Sequence, residues 1–579
     1  MYYGYGARTD WEEVDIIWTL EISYLGDDYR FSSITIDLVD IDGKTYPYVG
    51  GLEDVVISTS LESVGDIKAE SDSVSMAISF PDRNIAIDQM NGKFLEGSTA
   101  KIGYVLIKNG QVETEYDNRP IVFRGIITGP VYGHPNREVG YVEFSIENQA
   151  MISSQGLLST VLGPNMYIED VSCSSAFYVS PEWPQDRGLT EVRDHDRGKV
   201  IPWVFGHLMG VQHSSGEDSS IPITPAYVIA YDPSVAHKPV FYLCCGHVTN
   251  ASTVNLFANT GEVDSATIST FVNIDNRTLT YFQLPNGSAI PQSASGNSDR
   301  QVWIEWDDGG AYPNPVGSGD LQGGGDICLW LLSELTTDVD YDSWNALRPF
   351  LNQYEFAGYV NDDKITVFQW LQKNIIAYLP IHVVNGPNGL KPVLDMFQGM
   401  VSIRERLSVT AGTDFERAGP VISLNTPEDV SNVITVRYAV NGVTDDYSTF
   451  VQISNRIPAA GTLASISYIA HPKSMISIQR YGEKKRVVEL DYCYSNLTAQ
   501  RIAQDILERE ALPTKSVQYS VSVRYGYLVL GDIVEITDEE IGLNQQKAQI
   551  ISKVFEEGRW LLDMKIDENP MRYNRNVET

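Results

Sequence analysis

Five side chains that could bind a metal ion lie in one short polar stretch. Asp194, His195 and Asp196 are consecutive, and His207 and His213 follow shortly after them. Imidazole nitrogens and carboxylate oxygens are common ligands of zinc and related ions. Their spacing matches no closed site, however, and a polar loop with solvated histidines explains the same residues. The sequence therefore predicts no metal site and no cofactor, and leaves open whether an ion binds near His195, His207 and His213.

Aromatic side chains between residues 223 and 310 are the candidates for contact with a ligand. Tyr227, Tyr231, Trp303 and Trp306 could stack on a host glycan or contact a host protein. Aromatic residues that alternate along strands more often fill a core, where their large apolar area is buried. Both interpretations stay open at the level of the sequence.

No catalytic motif is present in the sequence. It has no His-Glu-x-x-His, no Gly-x-Ser-x-Gly and no glycine loop ending in Gly-Lys-Ser/Thr, the patterns of zinc proteases, α/β-hydrolases and P-loop proteins. The glycine-rich run GSGDLQGGGD lacks the lysine that would contact a phosphate. Among 76 Asp and Glu residues, a glycosidase pair cannot be recognised. We therefore predict that the protein is not an enzyme.

The negative charge limits the classes of partner. The 579 residues carry a formal net charge of −34, and such a surface repels the phosphate backbone of nucleic acids. It suits a protein that DNA passes without sticking, although an acidic, soluble surface alone would look the same. The length predicts several domains rather than one core.

Cysteine usage and the chain start bear on the compartment. The five cysteines are scattered and predict no disulfide framework. The start, MYYGYGARTDWEE, lacks the basic and apolar regions of a secretion signal, and no apolar run approaches the roughly 20 residues that span a bilayer. We expect synthesis in a cytoplasm, with release by assembly or lysis.

Antiparallel strands are predicted for residues 1–155. The run SVSMAISF alternates apolar and polar residues, the period of a half-buried strand. The dipeptides Asp42-Gly43 and Asn109-Gly110 separate strand-like runs and predict hairpins, because these residue types tolerate positive φ. We expect an N-terminal β-barrel resembling a tube domain.

The middle of the chain changes character twice. Residues 156–322 hold short strand-like runs, such as AYVIAY and QVWIEW, between long polar stretches, which predicts an inserted β-rich domain with long loops. Residues 323–428 show helical spacing in DICLWLLSEL, YDSWNALRPFLNQY and ITVFQWLQKNIIAYL, and then a hairpin. This pattern predicts an α+β connector domain.

Residues 429–579 are predicted to form a small β-barrel-like domain with one helix. The helix LTAQRIAQDILERE presents an apolar stripe that includes Ile502 and Ile506, and the strand-like runs SVQYSVSVRY, GDIVEIT, KAQIISKVF and RWLLDMKI follow. The predicted fold class is therefore multidomain and mainly β, with an α+β connector and antiparallel β-barrel-like domains at both ends.

Several stretches resemble the central baseplate hub, or tail-tip, proteins of long-tailed (siphovirus-type) phages and gene-transfer agents. IVFRGIITGPVY and YVEFSIEN are similar to the end of the first hub barrel, and GKVIPWVFGHLMGV to an Ile-Pro-x-x-Phe-Gly stretch of such proteins. In the C-terminal part, VITVRYAVN, IQRYGEKKRVVELDY, LTAQRIAQDILEREALP and LVLGDIVEIT follow the order of the terminal hub module. The resemblance is weakest over about 210–320.

This resemblance implies a structural virion protein of the phage tail tip, made in the bacterial host cytoplasm. Such hubs are homotrimers in which two barrels per chain continue the tail tube as a ring. The ring contacts the distal tail protein, the tape-measure protein and other tail-tip proteins or fibres. It closes the tube, then opens for the tape measure and the DNA, which would pass an acidic lumen without specific binding. We expect no appended peptidoglycan-degrading domain, because the chain ends at Thr579.

Two other functions stay open. A tail-tip receptor-binding protein would use residues 160–320 to contact the host cell surface, and aromatic residues on an exposed loop edge would favour it. A tail-associated hydrolase would need two carboxylates or a metal cluster that converge in one cleft.

Overall fold

A computed structural model describes three long parts of the chain and several strands between them. The long parts are residues 14–147, 314–395 and 403–567; between the first two, residues 203–206 and the strands from 211 to 306 are described. The gaps within the long parts are 25, 61–72, 81–94, 109, 118, 136–139, 336–338, 361–366, 387, 410–414, 420–421, 424–427, 442–444, 455–465 and 557.

Ten strands form the N-terminal unit. They are β1 (Val14–Tyr24), β2 (Asp27–Ser32), β3 (Ile36–Val39), β4 (Thr45–Gly50), β5 (Leu52–Ser60), β6 (Ser73–Phe80), β7 (Thr99–Lys108), β8 (Gln111–Val112), β9 (Ile121–Pro135) and β10 (Gly140–Glu147). Pairings run from β1 through β2 to β4, and from β5 through β6, β10, β9 and β7 back to β1. No pairing joins β4 to β5 among the described residues, so the strands make a barrel-like path that is open between these two strands.

The predicted alternation and hairpins are present in this unit. Val74, Met76 and Ile78 are buried on β6. Gly43 separates β3 from β4 with a φ of 82°, and Gly110 separates β7 from β8 with a φ of 77°, backbone conformations that glycine adopts without a steric penalty.

Six strands of the middle region form a small closed barrel. Its order is β14-β15-β18-β17-β16-β19, and β19 pairs back with β14. The strands of this region are β11 (Trp203–Phe205), β12 (Val211–Gln212), β13 (Asp218–Ser219), β14 (Thr224–Asp232), β15 (Lys238–Cys244), β16 (Thr253–Ala258), β17 (Glu262–Val272), β18 (Thr278–Phe282) and β19 (Val302–Trp306).

The connector is α+β, as its sequence predicts. Its elements are α1 (Gly324–Leu335), α2 (Tyr341–Leu351), β20 (Gly358–Val360), α3 (Val367–Asn374), a 3₁₀ turn (Ile376–Tyr378), β21 (Ile381–Gly386) and β22 (Gly389–Leu394). An ion pair joins the first two helices, with 2.6 Å between Arg348 Nε and Asp326 Oδ1. Strand β20 pairs with β11, which attaches the connector to the middle region.

The C-terminal unit consists of a partial barrel and an α/β layer whose elements lie between β25 and β30 in the sequence. Strands β30–β33 pair in the order β31-β32-β33-β30, while β23 pairs with β31, and β24 and β25 pair with β30. The elements are β23 (Ile403–Ser408), β24 (Phe415–Arg417), β25 (Ile422–Ser423), β26 (Val433–Asn441), β27 (Asp446–Ser454), β28 (Ile466–Ala470), α4 (Pro472–Tyr481), β29 (Lys485–Leu490), α5 (Asn496–Glu510), β30 (Thr514–Val521), β31 (Ile533–Asp538), β32 (Leu543–Glu556) and β33 (Arg559–Asp567), with 3₁₀ turns at Val523–Tyr525 and Glu539–Ile541.

The α/β layer consists of the sheet β28-β27-β26-β29 with α4 and α5. It holds two helices where the sequence predicts one. Helix α4 was not predicted, because its buried residues are Lys473, Ser474 and Ser477 rather than apolar residues.

The two end units share one sheet and one core, which the prediction of separate barrels did not include. Strand β32 pairs with β5 and unites them in a 17-stranded sheet. Behind this pairing, the Trp18 ring meets Tyr104, Phe555 and Trp560 edge-on, with ring centroids 5.9, 5.0 and 6.1 Å away. We call this β5–β32 contact and its aromatic cluster the joint.

The fold class predicted from the sequence, multidomain and mainly β, is confirmed. The domain limits at 155, 322 and 428 stay predictions, although β23–β25, which precede residue 429, pair with strands of the C-terminal unit. None of the helices in the described residues has the length and apolar character needed to cross a membrane.

We expect Ile506→Asp to unfold the C-terminal unit. Ile506 is buried on α5, so the substitution would place an unpaired carboxylate in the core. Leu497→Asp is the matched control, because Leu497 lies on the same helix and is 61% exposed. In urea unfolding followed by circular dichroism, Ile506→Asp should lack the folded signal of the C-terminal unit before urea is added, whereas Leu497→Asp should keep that signal. Equal stability of the two variants would contradict the packing of α5.

Candidate functional site

The outer face of the β3–β4 hairpin carries a group of exposed apolar side chains. The hairpin alternates: Ile36, Leu38, Tyr46 and Tyr48 pack in a small cluster against the barrel wall, and the opposite positions face solvent. Val39 and Val49 at such positions are 37 and 46% exposed, Ile41 in the turn is 93% exposed, and Ile34, just before β3, is 52% exposed. We call these four residues the hairpin surface. Clustered exposed apolar residues are typical of surfaces that bind another protein.

One carboxylate holds the turn that presents Ile41. Asp40 Oδ1 accepts hydrogen bonds from the backbone N–H groups of Asp42 (3.0 Å) and Lys44 (2.8 Å), and its Oδ2 accepts from the Tyr46 hydroxyl (3.0 Å). The bond from the Lys44 N–H lowers the pKa of Asp40, because it favours the charged carboxylate. The Ile41 N–H also donates to Asp117 Oδ2 at 2.9 Å. The most exposed apolar residue therefore stands on an ordered turn.

A buried ionic cluster fixes the inner face of the hairpin to the barrel. Glu21 Oε1 accepts from the hydroxyls of Tyr48 (2.5 Å) and Tyr116 (2.9 Å) and lies 3.1 Å from Arg119 Nη2. The Arg119 guanidinium also donates to the Tyr48 hydroxyl and lies 4.8 Å from the ring centroid of Tyr116. The Tyr46 and Tyr116 rings are stacked 4.0 Å apart.

The protonation of this cluster is set mainly by burial. Burial raises the pKa of the Tyr116 hydroxyl, and the adjacent Glu21 carboxylate raises it further. Burial lowers the pKa of Arg119, while Glu21 acts in the opposite direction. The cluster is therefore a charge-paired structural anchor that keeps the hairpin surface in place.

The predicted ligand-contacting aromatic residues lie on neighbouring strands of the closed barrel. Tyr227 and Tyr231 belong to β14, and Trp303 and Trp306 belong to β19. The half-buried Trp303 meets the ring of Tyr359 on β20 at 6.1 Å between centroids, in a T-shaped arrangement. Trp303 thus takes part in a contact between the barrel and the connector. Host contact by the four residues stays a prediction.

The predicted metal-binding candidates, His195, His207 and His213 with their neighbouring carboxylates, lie outside the described residues. Within the part of the chain that the structure describes, no group of three or more His, Cys, Asp or Glu side chains could hold a metal ion.

The hairpin surface was not predicted from the sequence, although the sequence contains a signal for it. In the run ITIDLVDIDGKTYPYV, apolar residues occupy both parities of the strand instead of one. A strand buried on one face only should alternate, so this surplus of apolar residues could have indicated a second contact face.

Comparison with family models finds one match. Residues 464–551 match the family described as "Putative phage tail protein". The match runs from β28 through α4 and α5 into β32, and confirms the resemblance to phage tail proteins over this part of the chain. A comparison with curated protein sequences finds no match.

Solved structures also show similarity to tail proteins. The tail protein from Neisseria meningitidis MC58 is 11% identical, with 95% of this chain and 97% of that chain covered and a TM-score of 0.34. The 43 kDa tail protein of prophage MuSo2 from Shewanella oneidensis is 9% identical, with 96 and 98% covered and a TM-score of 0.35. A chain of the native gene transfer agent virion is 12% identical, with 72 and 93% covered and a TM-score of 0.36.

We expect Arg119→Met to destabilise the N-terminal unit by about 3 kcal/mol, the lower end for breaking a buried ion pair. The Glu21 carboxylate then keeps only the more distant Arg30, whose Nε lies 3.8 Å from Glu21 Oε1. The double variant Glu21→Gln/Arg119→Met should lose much less than the sum of the two single variants. Arg559→Met is the control: Arg559 is 46% exposed and lies 3.4 Å from Glu416, so we expect a loss of less than about 1 kcal/mol. Urea unfolding measures all four, and additive losses would contradict the anchor.

Proposed function

We propose that the chain is a structural virion protein of the phage tail tip, the central hub of the baseplate. The match of residues 464–551 to the tail protein family carries this proposal. In the fold, that segment covers β28, α4, β29 and α5 of the α/β layer, and β30, β31 and most of β32 in the C-terminal sheet. The protein would be made in the bacterial host cytoplasm and reach the virion by assembly.

The proposed role is mechanical. Three copies would form a ring that continues the tail tube, contacts the distal tail protein and meets the tape-measure protein. The barrel-like path of strands in the N-terminal unit and the partial barrel of the C-terminal unit support this arrangement, since each copy would then contribute two curved β walls. With a net charge of −34 per chain, an inward-facing acidic wall would repel passing DNA.

The hairpin surface is the proposed contact between copies. Two copies of so acidic a chain repel each other over long distances. A contact between them is therefore favoured where apolar side chains are buried and no charged side chain loses its water. Four of the nine large hydrophobic residues that are exposed among the described residues lie on this one hairpin. Its anchored turn would reduce the conformational entropy lost on association.

We expect the purified chain to have about three times its monomer mass of 64.4 kDa in light scattering, alone or after addition of the distal tail protein. Ile41→Asp should give a folded monomer, because it places a charge in the proposed apolar contact. Val487→Asp is the control, since Val487 is 53% exposed and lies on β29, far along the chain from the hairpin.

Monomeric wild-type protein under both conditions would contradict the ring. If that monomer bound host envelope glycans, a receptor-binding function would replace the proposed hub function. A trimer that persists in Ile41→Asp would keep the ring and reject the hairpin surface as its contact.

A further inference from the structure

The joint between the two end units depends on a short strand contact. Strand β32 pairs with β5 through Ser552↔Ser60, Lys553↔Thr59 and Val554↔Ser58 only. The central pair is reinforced by the Thr59 hydroxyl, which donates to the Lys553 carbonyl oxygen at 3.3 Å. A lysine thus occupies the middle of the only direct strand pairing between these units among the described residues.

The side chain of Lys553 is buried within the joint, with 5% exposure. Its Nζ donates to the carbonyl oxygens of Gly526 at 2.5 Å and Leu528 at 2.7 Å. It also lies 3.9 Å from the ring centroid of Trp560, the aromatic residue whose edge-on contacts hold Trp18 and Phe555. The amine is therefore packed under the cluster that holds the two units together.

The charged groups near Lys553 belong to four other elements. The charge of Asp532, which precedes β31, raises the pKa of Lys553. The charges of Lys391 on β22 and Arg404 on β23 lower the pKa of Asp532. The charge of Asp340, which precedes α2, raises the pKa of Lys391. Among the ion pairs of the described residues, none joins Lys553 to a carboxylate. Two carbonyl oxygens and an aromatic ring contact the amine directly, and the Asp532 charge acts on it without an ion pair.

We propose that the joint is a proton-sensitive seam, in which Lys553 is the titrating group and its protonation favours separation of β5 from β32. An ammonium in this position has lost its water, and the Asp532 carboxylate offsets that loss only in part, because burial is the larger effect on the pKa of Lys553. When the strands separate, the amine returns to water, where the ammonium is strongly hydrated.

The pH range follows from the two states of the seam. Burial lowers the pKa of Lys553 in the closed seam from its ordinary value of 10.5 to about 7. Opening therefore takes up a proton at pH values between these two, so the opening constant falls about tenfold for each pH unit of increase. Below about pH 7 the amine is charged in both states, and the dependence disappears.

Hydrogen exchange of the full chain tests the seam between about pH 7 and pH 9. After correction for intrinsic exchange rates, amides of β5 and β32 should become protected by about tenfold per pH unit, whereas amides of β26 and β27 should not change. Lys553→Met should abolish the change at the seam, because it removes the titrating group and keeps an apolar side chain of similar length.

Lys473→Met is the matched control. Lys473 is also 5% exposed, but its Nζ lies 3.2 Å from Glu508 Oε2, so its removal should leave the pH dependence of the seam intact. An unchanged dependence in Lys553→Met, or equal protection of the wild-type seam at both pH values, overturns the proposal. If Lys553→Met does not fold, the wild-type comparison between the seam and β26–β27 decides alone.

Because these measurements need no partner protein, their result is independent of whether the chain forms a tail-tip ring.

Discussion

The joint between the first and the last strands is the contact on which the rest of the chain depends. Three backbone pairs and the rings around Trp18 and Trp560 connect strands that are far apart in sequence. The same hydrophobic cluster contains side chains from both units, so the two units share a core across the joint. The middle region, the connector and the α/β layer are therefore held between two ends that are packed on each other.

Buried polar groups define the geometry where apolar packing alone would allow several arrangements. Asn432 is fully buried, and its side chain donates to Ser477 Oγ and the Gly482 carbonyl oxygen and accepts from the Lys484 N–H. It thereby positions α4 and the start of β29 together. Glu21 does the same for the hairpin and the barrel wall. Asn432 and Glu21 make these hydrogen bonds only when the segments around them are in the observed register, which favours a single packed state.

Local patterns predicted the local structure well. Turn dipeptides located the hairpins at Gly43 and Gly110, and helical spacing located α1, α2 and α5. What could not be predicted depends on contacts between distant segments. No periodicity reveals that Thr59 lies opposite Lys553, and a helix whose buried face is polar, such as α4, has no apolar stripe to detect. The hairpin surface was not predicted because its exposed apolar residues look like core residues in the sequence. Only the structure shows that Ile36, Leu38, Tyr46 and Tyr48 fill the buried face instead.

The sharing of one core by both ends also constrains how the chain can be made. Thr59 and Lys553 are 494 residues apart in sequence, so the N-terminal strands leave the ribosome long before their partners exist. At roughly 5–20 residues per second, this interval lasts on the order of half a minute or more. During that time β5 presents an unpaired edge and the Trp18 ring an uncovered apolar surface. Such edges pair readily with other chains, so the nascent protein would need its N-terminal strands shielded until synthesis is nearly complete.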